Sequence, residues 1–195
     1  MKLLYAQINP HFLYNTLDII VWQALRIKSK EIADIADSLA KFLRLNLNNG
    51  QDFISIGDEL EEVRRYMHII NYRYRDSIRI VFAVAEGLES RIIIKMILQP
   101  LIENAILHGI MPKEDRQGTI WIKACCEGDY ILFEVVDDGV GCTDPQAILN
   151  HESNGYGLKN VHQRIQAYYG PDCGLSIASQ PGAGFQVTIR LRSEF

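Results

Sequence analysis

His11 is the residue of this chain best suited to accept a group covalently. It lies in the segment Gln7-Ile8-Asn9-Pro10-His11-Phe12-Leu13-Tyr14-Asn15-Thr16-Leu17, beside a proline. An imidazole nitrogen is one of the few side-chain nucleophiles that can itself become a phosphoryl carrier. Leu4, Ile8, Phe12, Leu13, Leu17, Ile20, Val21 and Ala24 recur at helical spacing around it. A proline inside such a helix removes a backbone hydrogen bond and costs roughly 3 kcal/mol. Stability alone would not select that, so a kink or an exposed face presenting His11 is one reading. The ordinary alternatives are a surface or satisfied core histidine, and a proline that merely opens a helix.

Three later segments suggest a second chemistry. In Leu98-Gln99-Pro100-Leu101-Ile102-Glu103-Asn104-Ala105-Ile106-Leu107-His108-Gly109, the side chains of Asn104 and His108 are four apart and share a helix face. An asparagine oxygen is a hard ligand of the kind magnesium accepts alongside water and phosphate oxygens. Asp137-Asp138-Gly139-Val140-Gly141 follows a strand. There an aspartate can accept a hydrogen bond from an adenine amine, and glycines let backbone approach the base. Gly155-Tyr156-Gly157-Leu158-Lys159-Asn160 is a glycine-rich loop opening a helix, whose first N–H groups suit phosphate. Singly, these read as a helix surface, a strand-end turn and a loop. Their order within one domain is what points to a nucleotide.

The elements that must position these residues fall into two regions. Residues 1–75 read as helical: one helix from about Lys2 to Ile27, a break at Lys28-Ser29-Lys30, and a second helix ending in the Asn46–Gly50 region. A third helix starts near Gly57-Asp58-Glu59, with acids at its N-terminus, and runs to about Tyr74. The hairpin is too small to cover its own apolar stripe, and two chains forming a four-helix bundle would do so. Residues 76–195 turn to period two. Strands are expected at Ile78–Val84, Thr119–Cys126, Tyr130–Asp137, Leu175–Gln180 and Phe185–Arg192, with helices over Glu89–Gly109 and Gly157–Tyr169. Strands with helices on one face make an α/β two-layer sandwich, so the fold class is α+β.

Composition narrows the function. A net charge of −4 offers no electrostatic footprint for nucleic acid. Cys125, Cys126, Cys142 and Cys173 form no CxxC pair and no disulfide framework. No apolar run reaches the ~20 residues of a membrane span. Met1-Lys2-Leu3-Leu4 opens inside the helical pattern without a cap, which reads as a piece of a longer protein whose other segments can include a membrane anchor.

Taken together, these segments resemble the cytoplasmic kinase core of a LytS-type sensor histidine kinase with a Bergerat-type ATP-binding domain. The likeness covers essentially the whole sequence. Gln7–Leu17 resembles the family's phosphoacceptor box, Leu98–Gly109 its N box, Asp138–Gly141 and Gly155–Gly157 its two glycine boxes, and Gly182 with Gly184 its closing turn. By that resemblance His11 is the phosphorylated residue. Asn104 holds Mg²⁺ through ATP, Asp138 selects adenine, and His108, Gly139, Gly141, Gly155, Gly157 and Lys159 line the nucleotide. Asn15, one turn after His11, sits where related kinases place a residue for dephosphorylating their partner. The resemblance implies a homodimer, a response-regulator receiver domain as partner, and membrane contact only through segments absent from this sequence. Leu107 stands where the family usually has lysine, Phe185 where it has threonine, and Phe12 where many histidine kinases carry an acid, leaving a general base unassigned. Two rivals stand beside this reading. One is a Bergerat-fold ATPase, disfavoured by Pro100 at the position of its glutamate base; the other is a dimerisation and signalling module without kinase activity, for which Leu107 is the best argument.

Overall fold

The helical and period-two regions both appear in a computed structural model, which describes residues 10–46, 52–75, 77–150 and 156–193. The chain divides into two compact units, Met1–Gln51 with Glu61–Arg75, and Asp52–Leu60 with Asp76–Phe195.

The first unit contains helices α1 (Pro10–Arg26) and α2 (Lys30–Asn46). Residues 2–9, the expected start of the first helix, lie outside the described residues, as do residues 47–51. The two helices pack through small side chains: Ala24, Ala33, Ala36 and Ala40 are all buried, letting the backbones approach closely. Tyr14 Oη donates to the Leu43 carbonyl at 3.3 Å, tying one helix to the other. The turn between them is a Schellman cap. Ser29 N–H bonds to the Ala24 carbonyl at 2.9 Å and Lys28 N–H to the Leu25 carbonyl at 3.0 Å, while Lys28 takes the left-handed position (φ 60) usually left to glycine.

Helix α3 (Ile56–Tyr74) spans the boundary of the two units. Its start is capped by Ser55, whose Oγ accepts the Asp58 N–H at 3.0 Å and donates to Asp58 Oδ2 at 2.7 Å.

In the second unit a five-stranded sheet has the order β2 (Ile78–Val84), β4 (Gly118–Glu127), β5 (Tyr130–Asp137), β7 (Phe185–Arg192), β6 (Gly174–Ser179). Only β2–β4 is parallel; the remaining pairs are antiparallel. Alternate residues face the helices: Ile120 and Ile122, Ile131, Phe133 and Val135, and Val187, Ile189 and Leu191 are buried. Opposite them are Leu101, Ile102 and Ile106, and Leu158, Val161 and Ile165 from helix α6 (Tyr156–Tyr169). Burying each such side chain is worth about 1.5–3 kcal/mol, and the result is the expected two-layer sandwich.

One expectation fails. A single helix over Glu89–Gly109 does not form. Leu88–Ser90 is a 3₁₀ turn and Ile92–Ile94 is a strand, β3, paired antiparallel with β1 (Phe53–Ser55). Three successive β-branched isoleucines favour the extended chain. The helix begins only at Gln99, as α4 (Gln99–Asn104), and continues as a π-helix over Ala105–Ile110. A short helix α5 (Pro145–Asn150) and strand β1 were not anticipated either.

Candidate functional site

Strand β5 builds the site. Its inward row runs Ile131, Phe133, Val135, Asp137, so a carboxylate ends a line of apolar side chains and is only 3% exposed. Asp137 Oδ1 accepts the Gly139 N–H at 2.8 Å. Burial pushes this carboxyl up to about 6, against the Gly139 N–H that favours the anion; the Asp138 carboxylate adds to the rise and Lys113 opposes it.

Asp138 points the other way. It is exposed, and its Oδ1 accepts the Thr119 N–H at 3.0 Å and lies 3.6 Å from Lys113 Nζ. It thus extends the ladder towards β4. Asp138, the residue expected to pair with adenine, is thus the exposed carboxylate of the two, and Asp137 is the inward one.

The glycines of this loop serve backbone contacts. A Cβ on Gly139 would lie 2.3 Å from the Gly109 carbonyl carbon, and one on Gly109 would lie 2.5 Å from Asp137 Oδ1. Val140 N–H also bonds to the Gly109 carbonyl at 2.9 Å. Gly141 (φ 65) has the Gln180 carbonyl oxygen 2.1 Å from where a Cβ would be, and Gly184 (φ 82) the Asp137 carbonyl oxygen at 2.0 Å. These contacts hold the end of the N-box helix, the Asp137–Gly141 loop and the Gln180–Gly184 turn together around Asp137.

On the helix side, Asn104 is the last residue of α4, partly exposed, and its side chain has no hydrogen-bond partner among the described residues. The π-helix that follows carries Leu107 and His108 on its exposed side and Gly109 on its buried one. Such π segments occur frequently at functional sites. A Cβ on Gly157 would sit 3.9 Å from Pro100, so the start of α6 lies beside the start of α4. Lys159, on the first turn of α6, makes no hydrogen bond or ion pair among the described residues. Gly155 lies outside the described residues. His11 stands in the first described turn of α1, and its side chain lies outside the description; Asn15 on the next turn is exposed.

Sequence reasoning chose Asp138 over Asp137 and missed the carboxylate of Glu59. The first was readable from the alternation of Tyr130–Asp137, which puts Asp137 in register with Val135. The second was not, because its partners are 37–39 residues away: Glu59 accepts the N–H groups of Met96, Ile97 and Leu98 at 2.7, 2.7 and 2.8 Å.

The residues present fit a nucleotide held with magnesium. A buried acceptor faces the glycine loop, and an unpartnered amide oxygen stands on the facing helix. Among the described residues no group of three or more His, Cys, Asp or Glu side chains could hold a metal unaided, so the ion would need nucleotide oxygens and waters, as magnesium prefers.

This arrangement defines an ATPase-type nucleotide-binding domain joined to a helical hairpin with a histidine near its start. Comparison with known proteins agrees. Residues 1–78 match the family described as histidine kinase, and residues 89–194 match the histidine kinase-, DNA gyrase B- and HSP90-like ATPase family. The chain belongs to the histidine kinase family, and its second region is an ATPase domain of the type that binds ATP. It is 32% identical over 191 residues to the sensor histidine kinase BtsS of Escherichia coli, covering 98% of this chain and 33% of that protein. To the sensor histidine kinase YesM of Bacillus subtilis it is 34% identical over 191 residues, with the same coverage, 98% and 33%. The chain therefore spans about a third of the length of these curated relatives. Among solved structures it resembles the histidine kinase domain of the Erythrobacter litoralis EL346 blue-light activated histidine kinase, with TM-score 0.52, 14% identity, and coverage of 95% of this chain and 86% of that one. The catalytic domain of histidine kinase ThkA matches with TM-score 0.55 at 14% identity, over 72% of this chain and 95% of that one. At this identity the likeness concerns the fold alone, the Bergerat type.

Proposed function

We propose that this chain is the kinase core of an ATP-dependent protein-histidine autokinase of the LytS type. Residues 1–75 dimerise and carry the phosphoacceptor His11; residues 76–195 bind ATP. The phosphoryl group then passes to an aspartate of a response-regulator receiver domain. The parent protein is a membrane receptor, and this core is its cytoplasmic part. The observation that carries this reading is the pairing, in one chain, of a histidine-bearing helix in a family-matched segment with a domain whose buried Asp137 faces its N-box helix.

The roles assigned in this reading are as follows. Asp137, rather than Asp138, accepts the adenine amine, since it is the inward carboxylate and Asp138 is held by Thr119 and Lys113. Asn104 would hold, by its amide oxygen, the Mg²⁺ that accompanies ATP, and Lys159 would supply the cation that Leu107 cannot. His108, Gly155 and Gly157 border the phosphates, while Gly139 and Gly141 shape the loop beneath the base. His11 attacks as neutral imidazole: an N–P bond forms as the bond from the γ-phosphorus to its bridging oxygen breaks, and ADP leaves. Positioning and charge neutralisation supply most of such catalysis, so no strong base is obligatory. Asn15 serves dephosphorylation of the partner. Hydrolysis of ATP as a main activity is disfavoured because Pro100 offers no base.

Incubation with γ-labelled ATP should leave acid-labile, base-stable phosphate on the protein, and His11→Gln should abolish it with ATP affinity unchanged. Glutamine is helix-compatible, yet its amide nitrogen has no free lone pair for attack on phosphorus. Label persisting in that variant would make another residue the acceptor, with His108 and His68 next to test, and the first region would then be a dimerisation scaffold.

A further inference from the structure

The segment Lys95–Leu98, just before the N-box helix, belongs to no helix or strand, and Met96 within it has a left-handed backbone (φ 59). Such a conformation is unfavourable for a residue with a side chain, and it leaves a row of backbone N–H and carbonyl groups without a regular partner. Each buried group of that kind must find one.

Two long side chains satisfy them. Glu59, on the first turn of α3 and 1% exposed, takes three successive N–H groups: Met96 on Oε2, Ile97 and Leu98 on Oε1. Arg164, in the middle of α6, donates from Nη2 to the carbonyls of Lys95 and Met96, the latter at 2.7 Å. The Leu98 carbonyl in turn receives the Leu101 and Ile102 N–H groups, both at 3.0 Å, and so starts α4. No side chain caps that helix. Its origin is therefore set by an acid from one helix and a base from another. Burial raises the Glu59 carboxyl above its ordinary value, opposed by its three N–H donors and by Arg164.

We propose that Glu59 and Arg164 are positioning residues for the nucleotide: by gripping Lys95–Leu98 they fix where the N-box helix begins, and with it the place of Asn104 towards the metal–phosphate end of ATP. Neither side chain touches the ligand. The assignment rests on the reading of Asn104 as the magnesium-side contact. It concerns the start of the N-box helix, since the far end of the same helix, at Gly109, is held against Asp137, Gly139 and Val140 by contacts of its own.

The test compares binding of ATP in excess Mg²⁺ with binding in EDTA, by calorimetry on the whole chain. Glu59→Gln replaces one acceptor by an NH₂ group facing a backbone N–H. Arg164→Lys keeps the charge but lacks the planar fork. Residues that orient a metal ligand typically matter by about tenfold or more in affinity, so each variant should bind Mg-ATP about tenfold more weakly yet keep its affinity for metal-free ATP. In an Asn104→Ala background neither change should have any further effect on Mg-ATP. Ile189→Val, which removes one carbon from the buried face of β7, should leave the magnesium advantage intact. If the clamp variants retain that advantage, or weaken both forms of ATP equally, the positioning role is wrong. Should Glu59→Gln fail to fold, as judged by near-ultraviolet circular dichroism, Arg164→Lys alone decides. A wild-type chain that binds ATP in neither condition would overturn the nucleotide reading itself, and that is seen before any variant is made.

Discussion

Two adjacent aspartates divide their work by direction. Asp137 faces the core and Asp138 faces out, because successive residues of a strand point to opposite sides. Replacing Asp137 by Asn puts an NH₂ group where an acceptor is needed, and loss of a charged hydrogen bond should weaken ATP binding roughly ten- to a hundredfold. Asp138→Asn should leave the dissociation constant nearly unchanged. The Asp137→Asn variant also has a stability signature. Since burial lifts the Asp137 carboxyl from 3.8 to about 6, the unfolded chain releases this proton first as pH rises. The folded state is then penalised progressively between pH 4 and 6, by at most about 3 kcal/mol once the group is fully ionised. Asp137→Asn escapes that penalty. Its stability relative to wild type should thus grow across this window and level off above it, as denaturant midpoints at a series of pH values will tell. A gap that is flat with pH would mean that Asp137 ionises as freely as in the unfolded chain.

At the scale of elements, the site depends on loops that touch backbone to backbone. Gly139 and Gly109 are in contact at their main chains, so Gly139→Ala has no room and no flexible neighbour to displace; overpacking of this kind costs about 1–3 kcal/mol. Gly182, in the closing turn, has φ 77 but nothing within 4 Å of a Cβ. Gly182→Ala should therefore pay only the left-handed backbone cost, roughly 1 kcal/mol. Urea midpoints should order the proteins wild type, Gly182→Ala, Gly139→Ala, and only the last should also lose ATP affinity, because Gly109 lies directly behind Asp137. Equal midpoints for the two variants would show that the Gly109–Gly139 contact does not hold the loop.

For the molecule as a whole, the first unit leaves a stretch of apolar surface exposed among the described residues. Phe12, Ile19 and Trp22 are 66%, 60% and 61% exposed and, at spacings of seven and three, share one face of α1. A second copy of the chain is the natural cover, giving the four-helix bundle expected from the hairpin. Light scattering at micromolar concentration should show a homodimer. Trp22→Glu removes a large apolar contact and places a charge there, and should raise the dissociation constant by roughly tenfold to a hundredfold. A strict monomer for the wild type would refute this assembly.

Local chemistry was the part legible in the residues themselves. A proline–histidine pair in an apolar helix, an Asn–His helix face, and glycine loops after a strand and before a helix are short-range patterns, ordinary one by one, and it was their order along the chain that pointed to a site. The alternation of Ile131, Phe133 and Val135 also contained the answer to which aspartate faces inward, although the motif drew attention to Asp138. Other features had no local trace. Ile92–Ile94 suits a strand or a buried helix equally by hydrophobicity, and only pairing with Phe53–Ser55, some forty residues earlier, settles it. Glu59 reads in sequence as an acid at a helix start, favourable to the helix dipole and nothing more. What it holds are backbone N–H groups, which every residue but proline possesses. Only the approach of α3, the 95–98 loop and α6 in three dimensions decided which of them it would bind.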